Sequence, residues 1–224
     1  MNEEKNFKEL GKWLWIIFWM TIAVTIISLL LDNGIAAKYI PGNELIDKII
    51  AGIFLLTRSI IIYRLFTMQK KYQAAGILGI LAVIMFAVES IVFIDGKYDA
   101  WSLIVTIPTF IIYAISEIME MKAHSLVLEE AHDKMSRRWN ILKNLYIGSL
   151  ISFVFGALII ILLNLITGSL SFNFDNTTNV MVMLVIGVIL ISVGIILILI
   201  VSIMKIVFIF LTAKFLRKNY SINN

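Results

Sequence analysis

The sequence of 224 residues has no cysteine and few charged residues. Without cysteine the chain has no disulfide framework, no thiolate zinc site, no cysteine nucleophile and no cysteine-ligated iron–sulfur cluster. Only 15% of its residues are charged and 60% are hydrophobic, whereas soluble domains have about 25% charged and about 45–50% apolar residues. This composition excludes a soluble globule, a disordered chain and a basic nucleic-acid-binding module.

Long apolar runs make up most of the chain instead. A membrane-spanning helix needs about 20 apolar residues, and its backbone groups must be paired within their own segment. Because the runs do not alternate polar and apolar residues, they predict helices rather than barrel strands. The sequence therefore predicts an all-α polytopic membrane protein, a single integral domain over residues 1–224 with a bundle of six transmembrane helices. The predicted spans are 13–31, 46–66, 74–94, 101–119, 145–166 and 180–204.

Basic residues predict the orientation of these spans, because lysine and arginine accumulate on the cytoplasmic side of a membrane. The N-terminus, the second and fourth connections and the C-terminal tail carry 14 of the 19 basic residues, and the opposite side carries three. The prediction is a multi-pass protein of the cell membrane with cytoplasmic N- and C-termini. The last span has 25 residues without an ionisable side chain, about 37 Å of helix, so it should tilt or continue beyond the hydrocarbon layer.

The stretch 120–144 has the periodicity of an amphipathic helix, with apolar residues at intervals of three and four and charged residues between them. We predict that this cytoplasmic helix continues the fourth span along the membrane face. There it could bind anionic lipid or a partner subunit. The apolar positions are Leu128, Ala131, Met135, Trp139 and Leu142.

Polar side chains inside the first four spans form a predicted intramembrane cluster. Helical spacing places two stripes of them on single faces of the first and fourth helices. An arginine near the midplane costs at least about 2.5–3.5 kcal/mol, so Arg58 should face inward and pair with an acid. Depth counted from Lys48 and Asp95 selects Glu89 as the partner. The cluster members are Arg58, Glu89, Thr21, Thr25, Ser28, Asp32, Thr106, Thr109, Tyr113 and Glu117.

Small residues on the last two spans indicate close helix packing, because they let another backbone approach. We favour packing within the bundle, although the same pattern fits a homo-oligomer interface. The residues are Gly148, Ser152, Gly156, Gly187 and Gly194.

Catalytic motifs such as H-E-x-x-H, G-x-S-x-G and the phosphate-binding glycine loop are missing from the sequence. Glu120 and His124 share a helix face, and Glu129 with His132 has a spacing used in carboxylate-bridged metal sites. Because such sites need matching motifs on further helices, these four residues are interpreted as a solvated helix surface. The sequence thus predicts no enzyme, no metal site and no cofactor.

Two function classes fit these features. The favoured one is a small accessory or interaction protein that acts through partner subunits or lipids, and no nucleic acid is expected as a partner. The alternative is a small-solute transporter or membrane-embedded substrate-capture subunit with a polar cavity around Arg58 and Glu89. Polar side chains that meet around a cavity would favour the alternative, whereas their use in helix contacts would favour the first class.

Overall fold

A computed structural model of the chain describes residues 2–32, 43–92, 100–167 and 178–220. These residues are helical apart from short turns, and each long helix contains a stretch long and apolar enough to cross a membrane. The prediction of an all-α chain with six such helices is therefore confirmed. The elements are α1 (Asn2–Asp32), α2 (Asn43–Met68), a 3-10 helix (Lys70–Tyr72), α3 (Gln73–Val92), α4 (Ala100–Ala131), α5 (Asp133–Thr167) and α6 (Thr178–Tyr220).

Several helices are longer than the predicted spans. Helix α6 has 43 residues, about 64 Å at 1.5 Å per residue. Since the hydrocarbon core of a bilayer is about 30 Å thick, half of this helix exceeds what a crossing needs. The sequence predicts that the last helix tilts or continues beyond the hydrocarbon layer. Helix α6 does continue past Met204, since it is unbroken to Tyr220, which gives the second alternative the helix length it needs.

The predicted helix over 120–144 does continue the fourth span, but only to Ala131, so the prediction of one unbroken helix to residue 144 is wrong. Helix α4 continues to Ala131, and α5 begins at Asp133 after a break of one residue. At the break, the N–H of His132 donates to the carbonyl of Leu128, and the His132 carbonyl accepts from the N–H of Met135. The apolar spacing of three and four is the same in a lone surface helix and in two packed helices. The periodicity therefore could not reveal the turn.

The chain forms two compact units, the first made of residues 1–139 and 206–224 and the second of residues 140–205. In the first unit, α1 packs on α2, α2 on α3, and α3 on α4. Helices α2 and α3 run antiparallel, since a Cβ on Gly76 would lie 3.1 Å from the Cα of Tyr63, and one on Gly52 would lie 3.5 Å from Phe86.

The start of α1 and the end of α6 also lie antiparallel in the first unit. A Cβ on Gly11 would lie 2.9 Å from the Cβ of Leu216, so glycine permits the close approach here. The rings of Phe7 and Tyr220 stack with centroids 5.1 Å apart. Both chain ends therefore lie at the same end of this unit.

The core of the first unit lies toward that same end. Buried apolar residues occupy the first half of α1, the second half of α2 and the start of α3, for example Leu14, Leu65 and Ala75. In contrast, the described side chains at positions 18–30 of α1 and 83–90 of α3 are all at least partly exposed. Apolar side chains exposed along these segments are what a lipid-facing surface presents.

In the second unit, glycines on α5 and α6 allow the two helices to touch. A Cβ on Gly156 would lie 2.7 Å from the carbonyl oxygen of Gly187, and one on Gly194 would lie 2.9 Å from the backbone nitrogen of Phe153. Any larger residue at Gly156 or Gly194 would meet backbone rather than a movable side chain. The structure thus places these three glycines within the packing of one chain.

Ser152 contributes to the contact between α5 and α6, whereas Gly148 does not. The Ser152 hydroxyl donates to the carbonyl of Leu190 at 2.9 Å, across the same helix pair. Among the described residues, no atom lies within 4 Å of a Cβ on Gly148, so Gly148 takes no part in this helix contact, and a homo-oligomer interface at Gly148 stays a prediction. Regular spacing placed it in the stripe, but this position lies beyond the contact.

Candidate functional site

Arg58 of α2 lies between two carboxylates of α4. Its guanidinium Nη2 is 2.6 Å from Oε1 of Glu117 and donates a hydrogen bond to Oε2 of Glu120. All three residues are buried, with Glu120 only 1% exposed. Glu117 and Glu120 are three positions apart and so share a helix face, which is why one guanidinium reaches both. Such charge-assisted bonds are about twice as strong as neutral ones.

The predicted pairing of Arg58 with Glu89 is wrong. The close contacts of α2 and α3 pair Ser59 with Gly79, and Glu89 lies ten residues further along α3, about 15 Å from that level. The prediction counts the depth of Arg58 from Lys48 as the outer end of the second span. Helix α2 begins five residues earlier, at Asn43, so Arg58 lies further along the helix than this count assumes. Glu89 is half-buried on α3.

The ion pairs continue into a buried histidine and tyrosine. Nε2 of His124 is 3.5 Å from Oε1 of Glu120, one helical turn away. Nδ1 of His124 and the hydroxyl of Tyr72 share a hydrogen bond of 2.7 Å. His124 is 1% exposed and Tyr72 is fully buried. We call Arg58, Glu117, Glu120, His124 and Tyr72 the buried polar network.

The interpretation of Glu120 and His124 as a solvated surface is therefore wrong, whereas Glu129 is exposed as expected. The reason is that the 3-10 turn between α2 and α3 covers this face of α4, with Tyr72 against His124. At the same turn, Lys71 Nζ lies 2.6 Å from Oε1 of Glu130 in an exposed ion pair.

Helix α5 also contacts the buried polar network, through Trp139. The indole of Trp139 lies against the imidazole of His124, with ring centroids 4.4 Å apart. Its Nε1 donates to the hydroxyl of Thr212 on α6 at 3.1 Å. Trp139 and Thr212 are both 1% exposed. The sequence predicts Trp139 on an apolar stripe, but its periodicity does not indicate that Tyr72, His124 and Thr212 are buried beside it.

Three hydroxyl groups of the predicted stripes form hydrogen bonds within their own helices. The hydroxyls of Thr21, Thr25 and Thr109 each donate to the carbonyl four residues earlier, at 2.8 Å. A hydroxyl satisfied in this way does not need a neighbouring helix or a solute. The remaining members vary in exposure: Ser28 and Thr106 are half-buried and Tyr113 is exposed. The side chain of Asp32 lies outside the described residues.

The arrangement can hold helices together by charge and hydrogen bonding. Four elements contribute to it, namely α2, the 3-10 turn, α4 and α5. Within the described ranges, no group of three or more histidine, aspartate and glutamate side chains could hold a metal ion. Metal content of the purified protein therefore stays a question for elemental measurement.

Comparison with protein-family models, with curated proteins and with solved structures finds no match to this chain.

Proposed function

We propose that this chain is a non-catalytic, six-span protein of the cell membrane that acts as an accessory or interaction protein, through partner subunits or lipids. Both termini are cytoplasmic in this proposal. The observation that carries it is the burial of Arg58 between Glu117 and Glu120. A guanidinium held by two carboxylates joins α2 to α4, and its charge is used within the protein rather than by a solute.

The exposure pattern supports a membrane boundary near the buried polar network. Among the described side chains of α2, Tyr63 is the last large apolar one that is exposed, and Arg64 next to it is exposed. On α4, exposed Ile115 is followed at Lys122 by an exposed charge. Arg58 lies five residues from Tyr63, about 7.5 Å along the helix, so it lies inside this boundary. His124 and Tyr72 follow Lys122 and Arg64 in the sequence, so the network extends across the boundary.

Contacts at the same end of the first unit support a common side for the two termini. Tyr220 stacks on Phe7, and Phe215 contacts the ring of His132 with centroids 4.7 Å apart. Arg64, at the end of α2, lies 5.8 Å from the ring centroid of Trp13. These basic ends would all be cytoplasmic under the positive-inside rule.

The α4–α5 turn supplies a polar surface for a partner. Leu128 and Trp139, from the apolar stripe, are buried in the protein. The exposed side chains there are charged, as in Lys134, Arg137 and Arg138. A partner at this turn would therefore make polar contacts rather than cover an apolar helix face.

Cysteine accessibility tests the topology, and the absence of native cysteine makes every introduced thiol unique. We expect Lys8→Cys and Lys218→Cys to react with a membrane-impermeant maleimide only after the membrane is permeabilised. Lys97→Cys, on the side that the charge count places outside, should react in intact cells. Reaction of either terminal thiol in intact cells would contradict the proposed orientation.

Co-purification and flux assays test the function. We expect the tagged protein to retain a stoichiometric partner or lipid, with partner retention reduced by Lys134→Glu combined with Arg137→Glu. The matched control, Lys8→Glu with Lys12→Glu, reverses two charges at a different surface and should retain a protein partner, whatever its effect on bound lipid. Vesicles containing the purified protein should show no more flux of anionic or zwitterionic solutes than empty vesicles. Solute flux that Arg58→Gln abolishes, without loss of folding, would instead favour transport.

A further inference from the structure

Two antiparallel helix segments in the first unit carry a set of exposed basic side chains. Residues 6–15 of α1 and 206–220 of α6 approach each other at Gly11 and Leu216. We call the cations on these segments the basic seam. Its residues, all exposed, are Lys8, Lys12, Lys214, Arg217 and Lys218.

The basic seam has little acidic charge near it. Glu9 is the single carboxylate in these two segments. Among the described residues, none of the seam cations forms an ion pair, whereas Lys71 pairs with Glu130 and Arg137 with Asp133 near the α4–α5 turn. The two segments hold five cations against one carboxylate, and Glu3, Glu4 and Lys5 precede them on α1. The seam therefore keeps a net positive charge that attracts anions.

Aromatic rings fix two of these cations at the edge of an apolar surface. The guanidinium carbon of Arg217 lies 4.9 Å from the ring centroid of Trp15, and Nζ of Lys214 lies 5.8 Å from that of Phe210. These are distances of cation–π contacts. Tryptophan rings concentrate at the headgroup level of membranes, and beyond this level Trp19 is 54% exposed.

We propose that the basic seam binds the phosphate headgroups of anionic phospholipids, in the leaflet that borders the two termini. The proposal rests on the membrane placement proposed above. An anionic lipid fits because the cations continue directly into exposed apolar surface at Trp19 and Val207, the latter 46% exposed. Headgroup and acyl chain would then each meet matching chemistry. A soluble phosphate compound would use the cations alone.

The experiment measures headgroup preference with the full chain reconstituted in phosphatidylcholine vesicles. Spin-labelled phosphatidylglycerol and spin-labelled phosphatidylcholine are compared by electron paramagnetic resonance for their association with the protein. We expect a preference for phosphatidylglycerol that falls when salt is raised, because exposed charges are screened. In the site variant Lys214→Gln/Arg217→Gln/Lys218→Gln most of this preference should be lost, because each basic residue near an anionic surface contributes to the attraction.

A matched control removes the same charge from a different surface. Lys134→Gln/Arg137→Gln/Arg138→Gln, at the α4–α5 turn, should keep the preference. Circular dichroism shows whether the site variant is folded; if it is not, the salt dependence of the wild-type preference and the control variant decide the question.

Three results would overturn the proposal. They are equal association of the two lipids with the wild type, equal loss of preference in the control and site variants, and competition by soluble glycerol phosphate as strong as that by the lipid. The last result would assign the seam to a soluble phosphate ligand. Failure of the membrane placement itself is distinguishable, because the protein would then not float with the vesicles.

Discussion

Replacing Arg58 by glutamine tests whether the buried polar network holds the first unit together. The substitution removes the cation that contacts Glu117 and Glu120, and all three residues are buried. Removing one partner of a buried ion pair costs about 3–5 kcal/mol of stability, because the remaining charge loses its counterion in an apolar setting. We therefore expect Arg58→Gln to lower the free energy of unfolding by about this amount.

A double-mutant cycle separates the pair from the cost of each substitution. Glu120→Gln keeps the shape of the side chain but removes its charge. Since hydrogen bonds to charged groups contribute about 1.5–3 kcal/mol, the double variant with Arg58→Gln should be more stable than the sum of the single effects predicts, by a similar amount. Glu89 lies about 15 Å from the level of the pair, so Glu89→Gln and Arg58→Gln should be additive within about 0.5 kcal/mol.

The assay is unfolding in mixed micelles by increasing sodium dodecyl sulfate, followed by circular dichroism. The exposed pair of Lys71 and Glu130, 2.6 Å apart, serves as the matched control, and its coupling should be about 0.2–1 kcal/mol. The reasoning would be refuted if Arg58 coupled to Glu89 and not to Glu120, or if the buried and exposed pairs gave the same coupling.

Two further substitutions follow from the contacts. Gly156→Leu should destabilise the protein by about 1–3 kcal/mol in the same assay, because a Cβ there already lies 2.7 Å from a backbone carbonyl oxygen. The control Gly148→Leu, at a position in open space, should have little effect. Equal effects of the two substitutions would contradict the helix contact. Tyr72→Phe should lower the free energy of unfolding by about 1–3 kcal/mol, because it removes the hydrogen bond to His124. The same change at exposed Tyr63 should leave the stability unchanged. An unchanged stability of Tyr72→Phe would show that this hydrogen bond contributes nothing.

The helices were predictable from sequence because lipid forces each apolar run to satisfy its own backbone. Their lengths were less predictable, since an apolar run does not fix where a helix ends, and α6 is unbroken to Tyr220. The turn at His132 was missed for a different reason. No glycine or proline marks it, and one non-helical residue separates α4 from α5.

The candidate site was predictable in its central residue but not in its partners. The cost of a buried arginine in a span identified Arg58, and Glu117 was on the right helix face. Ruling out Glu89 as the partner of Arg58 required knowing where α2 begins, and apolar periodicity does not fix this position. A signal for Glu120 and His124 was present, because Glu117, Glu120 and His124 recur at helical spacing on one face. Burial by the 3-10 turn could not be read from that spacing.

The location of the core gives the buried polar network its significance. Buried apolar residues of the first unit, such as Leu14, Leu65 and Leu128, cluster toward the end that holds the network, and the opposite parts of α1 and α3 bury none of their described side chains. Lipid cannot supply a hydrophobic driving force between helices, so packing and polar bonds must hold them together. Both are concentrated at this one end. A partner or lipid that binds there would therefore act on the part of the unit where its helices are fixed relative to one another, and the basic seam lies on the same part.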